Sequence, residues 1–282
     1  MTRHVFEKAS VVALVLGLAG ASAAWADETE TTADPVQPGG EVTTGTGVAA
    51  GKVGPFAKDA YPSEVIFRPL TLPAQMFQIT PDYAFLKIGD SNAGVIGLGL
   101  SYGITDQLEV GLSSGFAIHP DAEWSKSLGL RAAFLALDTD QLDLAPGIGT
   151  VLDFEEGADV FSGISLDATT RFVLNDMIFL RGGSGLVRLG FVDDFSMSLH
   201  LNAGVGFQLT PQFEVGVDLN FFNLNVTPSG GSTFIFADYI PLTINALYNV
   251  HKMVDALAFL TFPDLENAGD FVMFGVGANI RI

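Results

Sequence analysis

From Phe195 to Gln208 the chain alternates without a break: Phe195, Met197, Leu199, Leu201, Ala203, Val205 and Phe207 are apolar, and the residues between them are polar or glycine. Side chains two apart share a face only in a β-strand, whereas a helix repeats every 3.6 residues, so this pattern specifies strand. It returns at Phe213, Val215, Val217, Leu219 and Phe221, and again at Val272, Phe274, Val276, Ala278, Ile280 and Ile282. A chain built this way must give one face of every strand an apolar environment and the other a polar one.

The same reading from residue 75 onward predicts about twelve strands, at 75–88, 93–103, 107–118, 126–137, 141–153, 163–174, 177–189, 195–208, 212–222, 236–249, 253–262 and 270–282. Most are about twice as long as the ~5–6 residues usual in globular proteins, and they suit strands tilted across a bilayer, which need about 9–11 residues. The connections after even-numbered strands are tight, as at Ile104-Thr105-Asp106, Asn175-Asp176 and Leu209-Thr210-Pro211. Those after odd-numbered strands are mostly longer and acidic, as at 119–125, 154–162, 190–194, 223–235 and 263–269. Short turns and both chain ends on one side, with long loops on the other, define an all-β fold: a transmembrane antiparallel up-and-down β-barrel. Closure leaves no unpaired backbone in hydrocarbon. Outside the N-terminus no apolar run reaches the ~18 residues of a spanning helix, which excludes a polytopic helical protein.

Over residues 70–282 the chain resembles the outer-membrane β-barrel proteins of Gram-negative bacteria. The stretch Arg68-Pro69-Leu70-Thr71-Leu72-Pro73 is similar to the one before the first strand in transporter-like barrels of that kind. The resemblance implies contact with outer-membrane lipid and lipopolysaccharide, and insertion by the outer-membrane assembly machinery. One departure is the end, Ile280-Arg281-Ile282, where many such barrels carry the terminal aromatic residue that this machinery reads.

The N-terminus reads as a signal peptide over residues 1–26. Arg3 and Lys8 form a basic start, Val11 to Ala19 an apolar stretch too short to span a bilayer comfortably, and Ala24-Trp25-Ala26 a small-residue cleavage site. Residues 27–73 are rich in Thr, Gly and Pro and read as a flexible periplasmic segment. Residues 74–282 then form the barrel. The last apolar anchors before it, from Val53 and Phe56 to Phe67, predict that Gly54 to Pro73 packs in or across the periplasmic mouth, bringing Lys52, Lys58 and Arg68 towards its acids.

Those acids recur at one place. Glu109, Asp143, Glu214 and Asp255 each follow a tight turn at the same offset, opposite the apolar face, so four carboxylates should share one level at the periplasmic mouth. Neighbouring strands bring Arg131, Arg171 and Arg281 inward at related depth, and Asp82, Asp167 and Asp218 add negative charge to the lumen. Two readings fit: a charged constriction that favours cations, or a lattice of salt bridges that packs the lumen. Small inward residues, among them Gly97, Gly99, Gly111, Gly147, Gly204, Gly206, Gly275 and Gly277, should leave room. In the seventh strand Ile178 and Leu180 share one parity while Val187 and Leu189 share the other, so a β-bulge at Gly182-Gly183 should return both Arg181 and Arg188 to the lumen.

Other chemistry is sparse. The net charge of −19 and pI of about 4.2 leave no basic surface for nucleic acid. Cysteine is absent, His119 and His251 lack metal-ligand spacing, and the glycines from Gly94 to Gly99 precede no helix, so no metal, cofactor or phosphate loop is expected. Ser198, His200 and Asn202 lie on one lumen face without a hydrolase motif around them and read as ordinary lumen polarity. The acidic loops lack an EF-hand pattern and read as a solvated rim. The expected function is a channel or transporter-like barrel for a small solute, with a structural or interaction barrel of blocked lumen as the alternative. No catalytic residues are expected.

Overall fold

The computed structural model describes residues 61–89, 91–119, 122–155, 160–191, 195–227, 231–235, 241–265, 268 and 271–282. The expected signal peptide, most of the segment after it, Lys52 and Lys58 lie outside the described residues.

Twelve wall strands run in chain order among the described residues: β1 Phe77–Ile88, β2 Ser91–Thr105, β3 Leu108–His119, β4 in pieces at Glu123–Trp124, Ser127–Phe134 and Leu137–Asp138, β5 Leu142–Asp153, β6 Phe161–Asn175, β7 at Ile178–Gly182 and Val187–Gly190, β8 Ser196–Thr210, β9 Phe213–Thr227, β10 at Gly231–Ile235 and Leu242–His251, β11 Val254–Phe262 and β12 Phe271–Arg281. Each pairs antiparallel with the next, and β12 pairs with β1 from Gln78↔Arg281 to Ile88↔Phe271. The closing bonds join the two ends of the barrel sequence: Phe77 donates to Ile282 O at 3.1 Å and Ile282 to Phe77 O at 2.8 Å. Every strand thus has two neighbours, the arrangement that satisfies backbone groups in hydrocarbon.

The alternation sorts the faces as expected. On β2 the outward Ile96, Leu98, Tyr102 and Ile104 are exposed, as are Phe274, Val276 and Ile280 on β12. An apolar outer band of this kind suits lipid contact rather than water. The inward set on β1 and β12, including Gln78, Thr80, Met273, Asn279 and Arg281, is buried.

One local departure from the strand reading and one expected irregularity have physical causes. Residues 223–235, expected as a long loop, are largely strand: Asn223↔Ile235 through Thr227↔Gly231 extend the β9–β10 ladder. The β8–β9 register slips by one residue at Phe221, between Asn202↔Asn220 and Leu201↔Phe222, so the alternation changes parity there and resumes at Leu224 and Val226 against Asn223 and Asn225. In β7 the register passes from Thr170↔Gly182 to Leu166↔Val187, so four steps on β6 face five on β7, and β8 shows the same offset between Ala203↔Gly182 and Leu199↔Val187. This is the expected one-residue slip, spread over 183–186, with Gly183 at φ 81° and Gly185 at φ 58°. It places both Arg181 and Arg188 on the lumen face: Arg181 pairs with Arg171, and Arg188 with Ser165 and Ser198.

The lumen is not empty at the short-turn end. Residues 61–76 run inside it, with a single 3-10 turn at Val65–Phe67, and Tyr61, Val65, Ile66, Leu70, Leu72 and Met76 are each at most 3% exposed. Their partners come from the wall and from one another: Val65 and Ile66 pack with Phe179 and Val173, Leu70 with Leu135 and Ala145, and Tyr61, Leu72 and Met76 with Met253. Fully burying side chains of this size stabilises by about 1.5–3 kcal/mol each before ordering costs are counted. Gln75, at φ 64°, turns this plug segment into β1.

Candidate functional site

Each of the four expected acids is the second residue of its strand, directly after a tight turn: Glu109 on β3, Asp143 on β5, Glu214 on β9 and Asp255 on β11. That shared offset fixes them on the inward face at the short-turn end. All four are buried, at 1%, 3%, 2% and 0% exposure.

None stands as a free charge. Arg131 pairs with Glu109 at 3.5 Å, Arg171 with Asp143 at 2.6 Å, Arg181 with Glu214 at 3.1 Å and Asp218 at 2.8 Å, and Arg281 with Asp255 at 2.6 Å. Arg68 of the plug adds a second cation at Asp255, 3.1 Å away. Five carboxylates thus meet five guanidiniums. Of the two readings of the acid ring, the geometry is the lattice: buried charges need partners, and a bare ring of carboxylates at this burial would be costly.

The lattice also grips the plug. Arg171 donates from Nη1 to Val65 O at 2.8 Å and from Nη2 to Arg68 O, while holding Asp143 through Nε at 2.9 Å. The Leu72 N–H donates to Glu109 Oε2 at 2.9 Å, and the Ala74 N–H to Asp106 Oδ1 at 3.0 Å. Arg68 itself reaches Pro62 O at 3.1 Å. Two guanidiniums lie near the Tyr61 ring, Arg68 at 4.9 Å and Arg281 at 5.0 Å from its centroid, within cation–π range. Gly103 lets the plug lie against β2, because a Cβ there would overlap Pro73 O, and it exchanges bonds with Gln75 and Met76 at 2.7 and 2.9 Å.

The remaining expected lumen residues are placed as follows. Arg181 reaches from β7 across β8 to Asp218 on β9, its guanidinium over Gly216, and also to Asn245 Oδ1 at 2.8 Å. Asp167 accepts the Gly185 N–H, and Asn202 bonds Gly183 N and Ser184 O, so both patch the slip in β7. Asn202 is therefore engaged in backbone repair beside Ser198 and His200. The expectation that inward glycines leave open room is corrected at several of them. Asp82 lies across Gly97 and Gly277, Asp218 across Gly204, Phe179 across Gly206 and Phe259 across Gly275. A missing side chain on one strand is filled by a large one on its neighbour, the cross-strand rescue of glycine.

The structure brings the expected acids together with Arg131, Arg171 and Arg281 at the short-turn end. The pairing of Arg181 with Glu214 and Asp218, and the part taken by Asn245 and Asn249, were not read from the sequence, although the inward parity of both asparagines on β10 was an available signal. Asn249 Nδ2 donates to Asp255 Oδ1 at 3.0 Å.

No protein-family model matches the chain, and no curated protein matches it. Its fold does match solved structures. A KdgM porin in complex with disordered oligogalacturonate aligns at TM-score 0.50 with 11% identity, over 72% of this chain and 98% of that one. An outer-membrane channel from Pseudomonas putida F1 aligns at TM-score 0.50 with 13% identity, over 75% of this chain and 97% of that one. The chain therefore has the closed barrel fold of outer-membrane channels.

Proposed function

With the transmembrane-barrel fold as premise, we propose that the chain is an outer-membrane channel of a Gram-negative cell that passes a small solute. In this reading the short-turn end faces the periplasm, the signal peptide is removed near Ala26, and lipid and lipopolysaccharide surround the apolar band. The observation that carries it is the manner of closure: the mouth is filled by residues 61–76, held by hydrogen bonds, ion pairs and apolar contacts, rather than by the wall itself. A closure made of non-covalent contacts to a separate segment is one the chain can release. The two fold neighbours are a porin and a channel, which supports this class of function and not any particular solute.

The same plug, if never released, would make the alternative, an interaction barrel whose lumen stays blocked. Single-channel recording of residues 27–282 in planar bilayers separates the two. A channel shows discrete conductance that rises when the plug is loosened by Gly103→Val. A blocked barrel shows none in either protein, although both remain heat-modifiable barrels in detergent.

A further inference from the structure

Beyond the lattice, one lumen acid differs from the rest. Asp82 is on the inward face of β1, between Thr80 and Ala84, and no ion pair to it exists among the described residues. Its Oδ2 is shielded from solvent and has no hydrogen-bond partner. The carboxylate is seated by its neighbours: Gly97 on β2 and Gly277 on β12 are its partners across the two ladders, and a Cβ at Gly97 would overlap it. The nearest inward cation along this wall is Arg281, opposite Gln78, about 13 Å down the strand at ~3.3 Å per residue. Arg281 is already committed to Asp255.

The wall changes character at this level. Towards the short-turn end it is polar: Thr80 donates to Asn279 Oδ1 at 2.9 Å, with Gln78 beside them. Towards the long-loop end it is apolar: Ala84, Leu86, Ala93, Val95 and Met273 cluster, with the half-buried Ile88, Phe259 and Phe271 at their margin. An acceptor that lacks a donor thus sits at the foot of an apolar wall.

We propose that Asp82 is a recognition site for an organic monocation, a primary ammonium group carried on a short apolar body. The ammonium would donate to the carboxylate while its body lies along Phe259, whose ring covers Gly275 at the level of Ala84, two residues or about 7 Å along β1. Asp82 is half-buried, and a carboxylate with one oxygen shielded from water and no cation beside it is less favourable than a paired one; such a ligand, reaching it from the open side, supplies both the missing charge and the missing donor. The proposal deepens the channel reading, since it names a solute class, but binding at Asp82 does not require that the barrel conduct.

The test uses n-butylammonium, with ammonium chloride and n-butanol as controls, titrated calorimetrically into the detergent-solubilised full mature chain. Butylammonium is expected to bind more tightly than either control. Asp82→Asn, which keeps shape and removes charge, is expected to weaken it about tenfold or more, the loss expected for a charge-assisted hydrogen bond, while heat modifiability is retained. Equal affinity in wild type and Asp82→Asn, or butanol binding as well as butylammonium, overturns the proposal. If Asp82→Asn does not fold, the wild-type ranking of the three probes still decides. Planar-bilayer recording then separates the two readings: butylammonium binding without conductance leaves the site standing and removes the channel, whereas conductance without such binding does the reverse.

Discussion

Arg68 and Asp255, 187 residues apart in sequence, meet as a two-pronged pair, Nη1 to Oδ2 at 3.1 Å and Nη2 to Oδ1 at 3.2 Å, with both side chains at 0% exposure. The pair joins the plug to the wall. Because Asp255 also holds Arg281, its two partners are not equivalent to it: one carboxylate serves two buried guanidiniums.

Removing the shared acid should therefore cost more than removing either base. Arg68→Ala leaves Asp255 with Arg281, whereas Asp255→Ala leaves two buried cations without their acid. Breaking a buried pair from one side costs about 3–5 kcal/mol, so Arg68→Ala is expected at or below that range and Asp255→Ala above Arg68→Ala. Urea unfolding midpoints in lipid vesicles would give the order, and a smaller loss for Asp255→Ala would contradict it.

The same burial fixes the salt response. Exposed pairs are screened within about 10 Å at 0.1 M salt, but buried ones much less. A plug held by exposed charges would loosen at high salt. This one should not, so the conductance step between wild type and Arg68→Ala is expected to persist from low to high KCl once scaled for bulk conductivity.

Glu64 gives the plug a pH dependence. Partial burial, and then Asp176 nearby, raise its pKa above the ordinary glutamate value. A raised carboxylate pKa means that the docked state holds its proton more tightly than the free one, so docking is strongest at low pH and weakens as pH rises through the folded value. Conductance should fall on acidification through the glutamate range, and Glu64→Gln should flatten that part of the profile. An unchanged profile in Glu64→Gln would show that another group carries it.

The slip in β7 depends on Asn202, which accepts from Gly183 N at 2.8 Å and donates to Ser184 O. Asn202→Ala leaves both backbone groups unsatisfied, a change worth about 1–3 kcal/mol. Faster amide exchange at Gly183 is expected, without change at β1 or β12. Uniform loosening of the whole barrel would contradict a local role.

How much of this was legible follows from which interactions are local. The parity of Phe195 to Gln208 gives faces, and the even count with short turns at one end gives a closed barrel. The identical offset of Glu109, Asp143, Glu214 and Asp255 after their turns gives one ring. The mismatch between Leu180 and Val187 gave even the slip in β7. The extension of β9 through 223–227 was missed because the alternation changes parity at Phe221, where the β8–β9 register slips by one residue, before it resumes at Leu224 and Val226.

The sequence alone determined that strands form, which residues face lipid, and which charges enter the lumen, because a period of two is a property of the backbone and needs no partner. Only the tertiary structure decided which charges neutralise one another. Arg181 lies over Gly216 to reach Asp218, Arg68 arrives from outside the wall to share Asp255 with Arg281, and Asp82 is left with Gly97 and Gly277 for neighbours. Those outcomes depend on barrel closure and on how side chains from several strands fill one narrow space, and no local pattern encodes that.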